Sequence, residues 1–176
     1  KRDFEDGANP YLRIRHRPDT GTPLKNKRRG ERDVRISSEV AEVIRDYLKF
    51  NHSDGEDDHG RTPLLMSTHG KRCEASTIQR NVYTVTRPCH YTGECPMDRD
   101  LDECEATSYN AASKCPGSVS PHALRRGYVT EALNAGQPKD VTADRVDMSH
   151  EVMDKHYDKA TKNEQMERRE DYLKDI

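Results

Sequence analysis

Apolar and polar residues alternate from Tyr11 to His16 (YLRIRH) and again from Arg32 to Ile36 (RDVRI), the period of a half-buried strand. The two predict an antiparallel hairpin whose connection, PDTGTPLKNKRRGE, is long, polar and basic. Directly after it, Ser37-Ser38 offers an N-cap. Val40, Val43, Ile44, Tyr47 and Leu48 then recur at i, i+3, i+4, i+7 and i+8, which predicts a helix with that stripe in the core. Leu64-Leu65-Met66 reads as a short buried segment, and Ile78, Val82 and Val85 mark another helix that Pro88 ends. A further helix opens at Ser120-Pro121, a capping residue followed by proline at the first helical position. It carries Ala123, Leu124, Tyr128, Ala132 and Leu133 for about four turns, until Gly136. SHEVMDKHYDKA adds a short apolar helix, and the remaining KATKNEQMERREDYLKDI is charged, with Met166 and Leu173 alone on its apolar side. The elements predict an α+β fold, mainly α-helical with a small antiparallel β-hairpin, in one domain spanning 1–176.

The pattern lapses from 88 to 117, PCHYTGECPMDRDLDECEATSYNAASKCPG, which reads as an insert. It holds four of the five cysteines and almost no apolar residues, so it needs another means of ordering itself. Cys89, Cys95, Cys104 and Cys115 are spaced C-x5-C-x8-C-x10-C without the paired knuckles of the strongest zinc motifs. Structural zinc on these four thiolates, two disulfides, or free thiols are the three readings; two cysteines followed by proline favour zinc. Because the insert runs straight into Ser120-Pro121, its expected role is to brace the helix that starts there.

Charge changes the picture locally rather than globally. Only 31% of the 176 residues are hydrophobic, 35% are charged and there is no Trp, so much of the surface is solvated. A net charge of −2 excludes a uniformly basic nucleic-acid binder and leaves local clusters, at Arg13 to Arg17, Lys25 to Arg35 and Arg125-Arg126. Asn51 to Gly60 (NHSDGEDDHG) reads as a solvated acidic turn in preference to a His-carboxylate metal site. No apolar run has the length of a membrane span and no targeting sequence opens the chain, which points to a cytoplasmic, nucleoid-associated protein without membrane partners. The sequence starts at Lys1 without methionine and is expected to be part of a longer chain.

The helix opening at Ser120 carries the chemistry. His122 and Arg125 lie three residues apart, hence on one face near the helix N-terminus, where free N–H groups and the dipole already favour an anion. Phosphate suits them: Arg125 can fork onto two oxygens, and His122 can donate a hydrogen bond or pass a proton. The spacing alone is cheap. His69 and Arg72 repeat it, but the residue 35 positions past His69 is Cys104, whereas 35 positions past His122 stands Tyr157. The bland alternative is a capping histidine, a surface arginine and a core tyrosine.

His122-x-x-Arg125-Arg-Gly, Gly136 at the helix end and Tyr157 in a short apolar helix together resemble the catalytic half of tyrosine recombinases, the phage-integrase family. The resemblance covers Tyr11 to Asp158. It implies the DNA breaking-rejoining fold and site-specific recombination or integration: the Tyr157 hydroxyl attacks a DNA phosphodiester, forming a 3′-phosphotyrosine and freeing a 5′-hydroxyl, with no cofactor for catalysis. It further implies that Arg125 and His122 neutralise the pentacoordinate phosphate, and that a lysine on the β-hairpin protonates the leaving oxygen. Lys25 is the better match for that lysine and Lys27 the second. Nine residues before the nucleophile the family has His or Trp, and here stands Met148, which can neither donate a hydrogen bond nor carry charge. His150 is the preferred substitute over His156, which is adjacent to Tyr157 and so points about 100° away from it on a helix.

The family's first arginine lies in a helix upstream of the hairpin, and none of Arg2, Arg13, Arg15 or Arg17 sits in such a helix. That arginine and the N-terminal DNA-gripping domain are expected outside this sequence, which by itself would then be inactive. The partners implied are double-stranded DNA and further copies of the chain, a tetramer on DNA and a monomer as an isolated fragment. Two other readings stand beside this one: a type IB topoisomerase-like activity, and a zinc-braced DNA-binding module, derived from a recombinase, whose catalysis is lost.

Overall fold

The computed structural model describes residues 3–53, 55–156, 163, 166–167 and 170. The chain is α+β, about 48% helical with one small sheet. It divides into two compact units: 1–73 with 144–147, and 74–143 with 148–176. Tyr157 and most of the charged tail from Lys162 to Ile176, with Leu173, lie outside the described residues.

The first unit is built on a three-stranded antiparallel sheet, β1 (Phe4–Glu5), β2 (Tyr11–Ile14) and β3 (Arg32–Arg35), in that order. The predicted hairpin is there, in register Tyr11↔Arg35, Leu12↔Val34, Arg13↔Asp33 and Ile14↔Arg32. Phe4 pairs with Leu12, so Phe4, Leu12 and Val34 share one face. The other face is laced by ion pairs: Arg13 with Glu5 at 2.9 Å and Arg15 with Asp33 at 2.7 Å. Arg17 forks onto Asp3, both bonds 2.7 Å. That fork holds the Asp3 carboxyl below its usual range and raises Arg17. The arginines from Arg13 to Arg17 are thus paired with carboxylates of their own unit. None of the three arginines is helical, as expected.

Helix α1 (Ser38–Asp46) is capped by Ser37, whose Oγ accepts from Val40 N at 3.3 Å, and it runs on as a π-turn over Tyr47–Asn51. The predicted core stripe is only partly inward. Ala41 is fully buried and Ile44, Tyr47 and Leu48 half-buried, whereas Val40 and Val43 face solvent, 48% and 69% exposed. Ala41, Ile44 and Leu48 are spaced i, i+3 and i+7, so the helix has turned to put its smallest apolar residue closest to its neighbours. Leu65, expected in a buried segment, is also exposed; the backbone N–H of Met66 instead donates to the Tyr47 hydroxyl at 3.0 Å.

The second unit contains α2 (Ala75–Thr86), α3 (Cys89–Thr92), α4 (Pro121–Asn134), α5 (Lys139–Val146, whose last turn falls in the first unit) and α6 (His150–His156). Most of its buried residues are small: Ala106, Ala111, Ala112, Cys115, Val129, Ala132, Thr142 and Ala143, with Leu133 and Met153 the larger ones. Three of them are alanines of the insert, buried around the single 3-10 turns Glu105–Thr107 and Ala112–Lys114. The insert thus orders itself by burying methyl groups. Its two ends meet, with Gly117 against the ring of Pro88. Among the described residues no helix is long and apolar enough to cross a membrane.

Candidate functional site

Helix α4 begins as its sequence dictates. Ser120 Oγ accepts from Ala123 N at 3.1 Å, Pro121 occupies the first turn, and His122 follows it, exposed. The helix ends at Gly136, whose φ of +78° only glycine adopts without strain; Gly136 N donates to Leu133 O at 3.1 Å and Gln137 N to Ala132 O at 2.9 Å. That pair of bonds is a Schellman motif. The buried face is Val129, Ala132 and Leu133, while Leu124 and Tyr128, expected in the core, are 49% and 40% exposed. Arg125 stands one turn before Val129 on this buried stripe and is half-buried. His122 lies one turn further towards the N-terminus. The two expected phosphate ligands are therefore on one helix, at its capped, positive end.

The start of α4 is braced from the insert side. Thr86 Oγ1 at the end of α2 donates to Val82 O at 2.7 Å and accepts from Val119 N at 2.9 Å, next to the Ser120 cap. Ser118 Oγ donates to Cys115 O at 2.8 Å, and Arg87 donates to Ala106 O. Cys89, Cys95, Cys104 and Cys115 are free cysteines, Cys115 buried and the others half-buried, so no disulfide joins them. Among the described residues no three His, Cys, Asp or Glu side chains converge to hold a metal ion.

Past α4, Ser149 caps α6 through its Oγ, which accepts from Val152 N at 3.3 Å, and Met153 is fully buried. His150, the preferred substitute for the missing histidine, is 53% exposed and places Nε2 3.1 Å from Asp140 Oδ1. Met148 is half-buried. His156, the other substitute, is the last residue of α6 and immediately precedes Tyr157.

Lys25 belongs to the first unit, whereas His122, Arg125 and His150 belong to the second. It is exposed in a turn closed by Lys27 N donating to Leu24 O at 3.0 Å, and Leu24 N donates to His16 Nδ1 at 2.9 Å. Lys27, the second choice, is exposed with φ +52°. Arg28 and Arg29 complete an exposed basic loop, and among the described residues no ion pair is recorded for these four cations.

Sequence reasoning missed two clusters. Asp57, read as part of a solvated turn, has a side chain only 7% exposed. Its carboxylate accepts from His59 N and Arg61 N, each at 3.0 Å, and from the guanidinium groups of Arg61 and Arg72. Both arginines also donate to Thr20 O, at 2.7 and 2.9 Å, which pins the loop leading to Lys25. Burial alone would raise the Asp57 carboxyl; the Arg72 guanidinium and the backbone donors override it and hold the group well below the usual carboxylate range. Arg72 of the second His-x-x-Arg match is thereby accounted for. The second missed cluster gathers at Asp147, whose carboxylate accepts from Asn26 Nδ2 at 2.9 Å and lies 3.8 Å from Arg32. In comparisons with known proteins, no family model, no curated protein and no solved structure matches the chain.

Proposed function

We propose that this chain carries the catalytic half of a DNA strand-transfer enzyme of the tyrosine-recombinase class, acting through a 3′-phosphotyrosine. The observation that carries the reading is the pairing of His122 with half-buried Arg125 at the capped N-terminus of α4. Together they offer a phosphate two side-chain donors and the helix dipole. In the reaction proposed, the Tyr157 oxygen forms a bond to phosphorus while His122 takes the phenolic proton. The P–O5′ bond breaks, and the Lys25 ammonium gives its proton to the departing oxygen. Arg125 neutralises the charge that builds on the equatorial oxygens. Double-stranded DNA is the substrate, and paired cleavage of two duplexes calls for a tetramer.

A second reading, a DNA-binding module that does not cut, is favoured by Met148 at the family's His/Trp position and by the engagement of His150 with Asp140. One experiment separates the two. The longest native polypeptide carrying this sequence is incubated with nicked suicide DNA duplexes and resolved on a denaturing gel. A covalent adduct that disappears in Tyr157→Phe establishes strand cleavage, and rearranged strands establish recombination. Retained DNA binding with no adduct in any register establishes the non-catalytic module.

A further inference from the structure

The connection between β2 and β3 lies wholly in the first unit and is held at both ends and in the middle. Residues 17–22 form a closed turn: Arg17 N and Thr22 N each donate to the other's carbonyl at 3.0 Å, and Arg61 and Arg72 donate to its Thr20 O. At the far end, Glu31 N donates to Arg28 O at 3.2 Å and Asn26 Nδ2 to Asp147 Oδ1 at 2.9 Å. Between these anchors the chain is held by a side chain that can change its charge. Leu24 N donates to His16 Nδ1 at 2.9 Å, and Leu24 O accepts from Lys27 N at 3.0 Å. His16 and Leu24 are half-buried, whereas Lys25 is exposed.

An imidazole nitrogen accepts a hydrogen bond only while it carries no proton, so this bond requires the neutral ring with its hydrogen on Nε2. Protonation sets N–H against N–H and turns the attraction into a repulsion. Imidazoles make that change between about pH 5 and pH 8. The charged groups around His16 act in both directions. Glu31, whose Oε1 accepts from the His16 backbone N–H at 3.0 Å, attracts an imidazolium, and Lys25, adjoining Leu24, repels it. Arg15 and Arg17 are turned to Asp33 and Asp3, and Arg61 and Arg72 to Asp57. His59 approaches the closed turn, at Gly21, rather than Leu24. We propose that His16 is a proton-operated latch on the basic loop: neutral, it holds Leu24 and so fixes Lys25; protonated, it releases residues 23–25 while the two ends keep their own anchors. The latch concerns the first unit alone and holds whether or not the chain cuts DNA.

The test is solvent exchange of single backbone amides by NMR from about pH 8 to about pH 5, each rate taken relative to an unstructured chain at the same pH. In the parent, protection of the Leu24 amide should fall about tenfold across this range as its acceptor is lost, while the Thr22 and Glu31 amides keep theirs. His16→Asn has a side chain that does not titrate, so its Leu24 protection should not vary with pH. His16→Ala has no acceptor, so its Leu24 amide should stand at the parent's acid-side level throughout, with the Thr22 amide marking an intact unit. Leu24 protection that is constant in the parent, that still falls with pH in His16→Asn, or that survives His16→Ala would each overturn the latch. A loss shared by Thr22 and Glu31 would overturn it as well, because the unit would then be loosening as a whole.

Discussion

Gly117 closes the insert immediately before the helix that carries His122 and Arg125, and replacing it with alanine tests whether that closure matters. A Cβ at this position would lie 2.8 Å from Pro88 Cγ and 3.0 Å from Cδ, against an ordinary carbon–carbon contact of about 3.5–4.0 Å. The proline ring cannot rotate aside, so the backbone must shift. Overpacking of this kind costs about 1–3 kcal/mol, whereas a Gly→Ala change returns about 0.4–1 kcal/mol by restricting the unfolded chain. The clash wins, for a net loss of about 1–2 kcal/mol. With a urea slope of about 2 kcal/mol/M, that lowers the midpoint by about 0.5–1 M. Gly127 is the control. It lies in the interior of α4 with nothing within 4 Å of a Cβ, so Gly127→Ala should raise stability by about 0.5–1 kcal/mol through helix propensity alone. The assay is urea unfolding followed by far-UV circular dichroism for both variants. A Gly117→Ala midpoint equal to or above the parent's would show that the Pro88 contact does not constrain the insert.

Other outcomes follow from the geometry. Asp57 titrates below its unfolded value, so its contribution to stability is complete above about pH 5 and fades as pH falls through the lowered folded value. Asp57→Asn should therefore flatten the acid side of the Tm-against-pH curve, with parent and variant converging at low pH; parallel curves would contradict the clasp. Arg125→Ala should slow DNA cleavage about a hundredfold or more under single-turnover conditions, as lost transition-state donors do, and an unchanged rate would remove Arg125 from the phosphate site. Thiol titration of the native chain should find Cys115 the slowest of five reactive cysteines; protection of Cys89, Cys95, Cys104 and Cys115 together, lifted by chelator, would establish a zinc site instead. Met153→Ala, emptying the most fully buried large side chain of the second unit, should cost about 2–5 kcal/mol, and a loss under 1 kcal/mol in urea unfolding would show that α6 is not anchored there.

The two longer strands were legible because alternation is a local signal, and α4 because its cap, its first-turn proline and its terminal glycine all act within a few residues. The strand Phe4–Glu5 was not, since two residues carry no period and Phe4 is placed only by its partner Leu12. Which face of α1 goes inward was legible only in part, at Ile44, Tyr47 and Leu48, because side-chain size also decided the fit: Ala41 is buried and Val43 is not. The insert looked coreless for the same reason, as alanine was discounted. In the candidate site the His122–Arg125 placement was readable from spacing. The Asp57 clasp and the Asn26–Asp147 bond were not, because they join residues up to 121 positions apart and no periodicity records such a meeting.

Among the described residues six of the eleven buried apolar ones are alanines, and each withdraws little hydrocarbon from water. The heat-capacity increment of unfolding scales with the apolar area exposed, so calorimetry should find it small for a chain of this length, with a low, broad endotherm. A low unfolding entropy also means that any given binding free energy moves the transition temperature further, since the shift is that free energy divided by the entropy at the midpoint. Thermal shift is thus a sensitive gauge of ligand occupancy for this protein: duplex DNA at modest excess should displace the endotherm by more degrees than it would in a domain cored by leucine and phenylalanine.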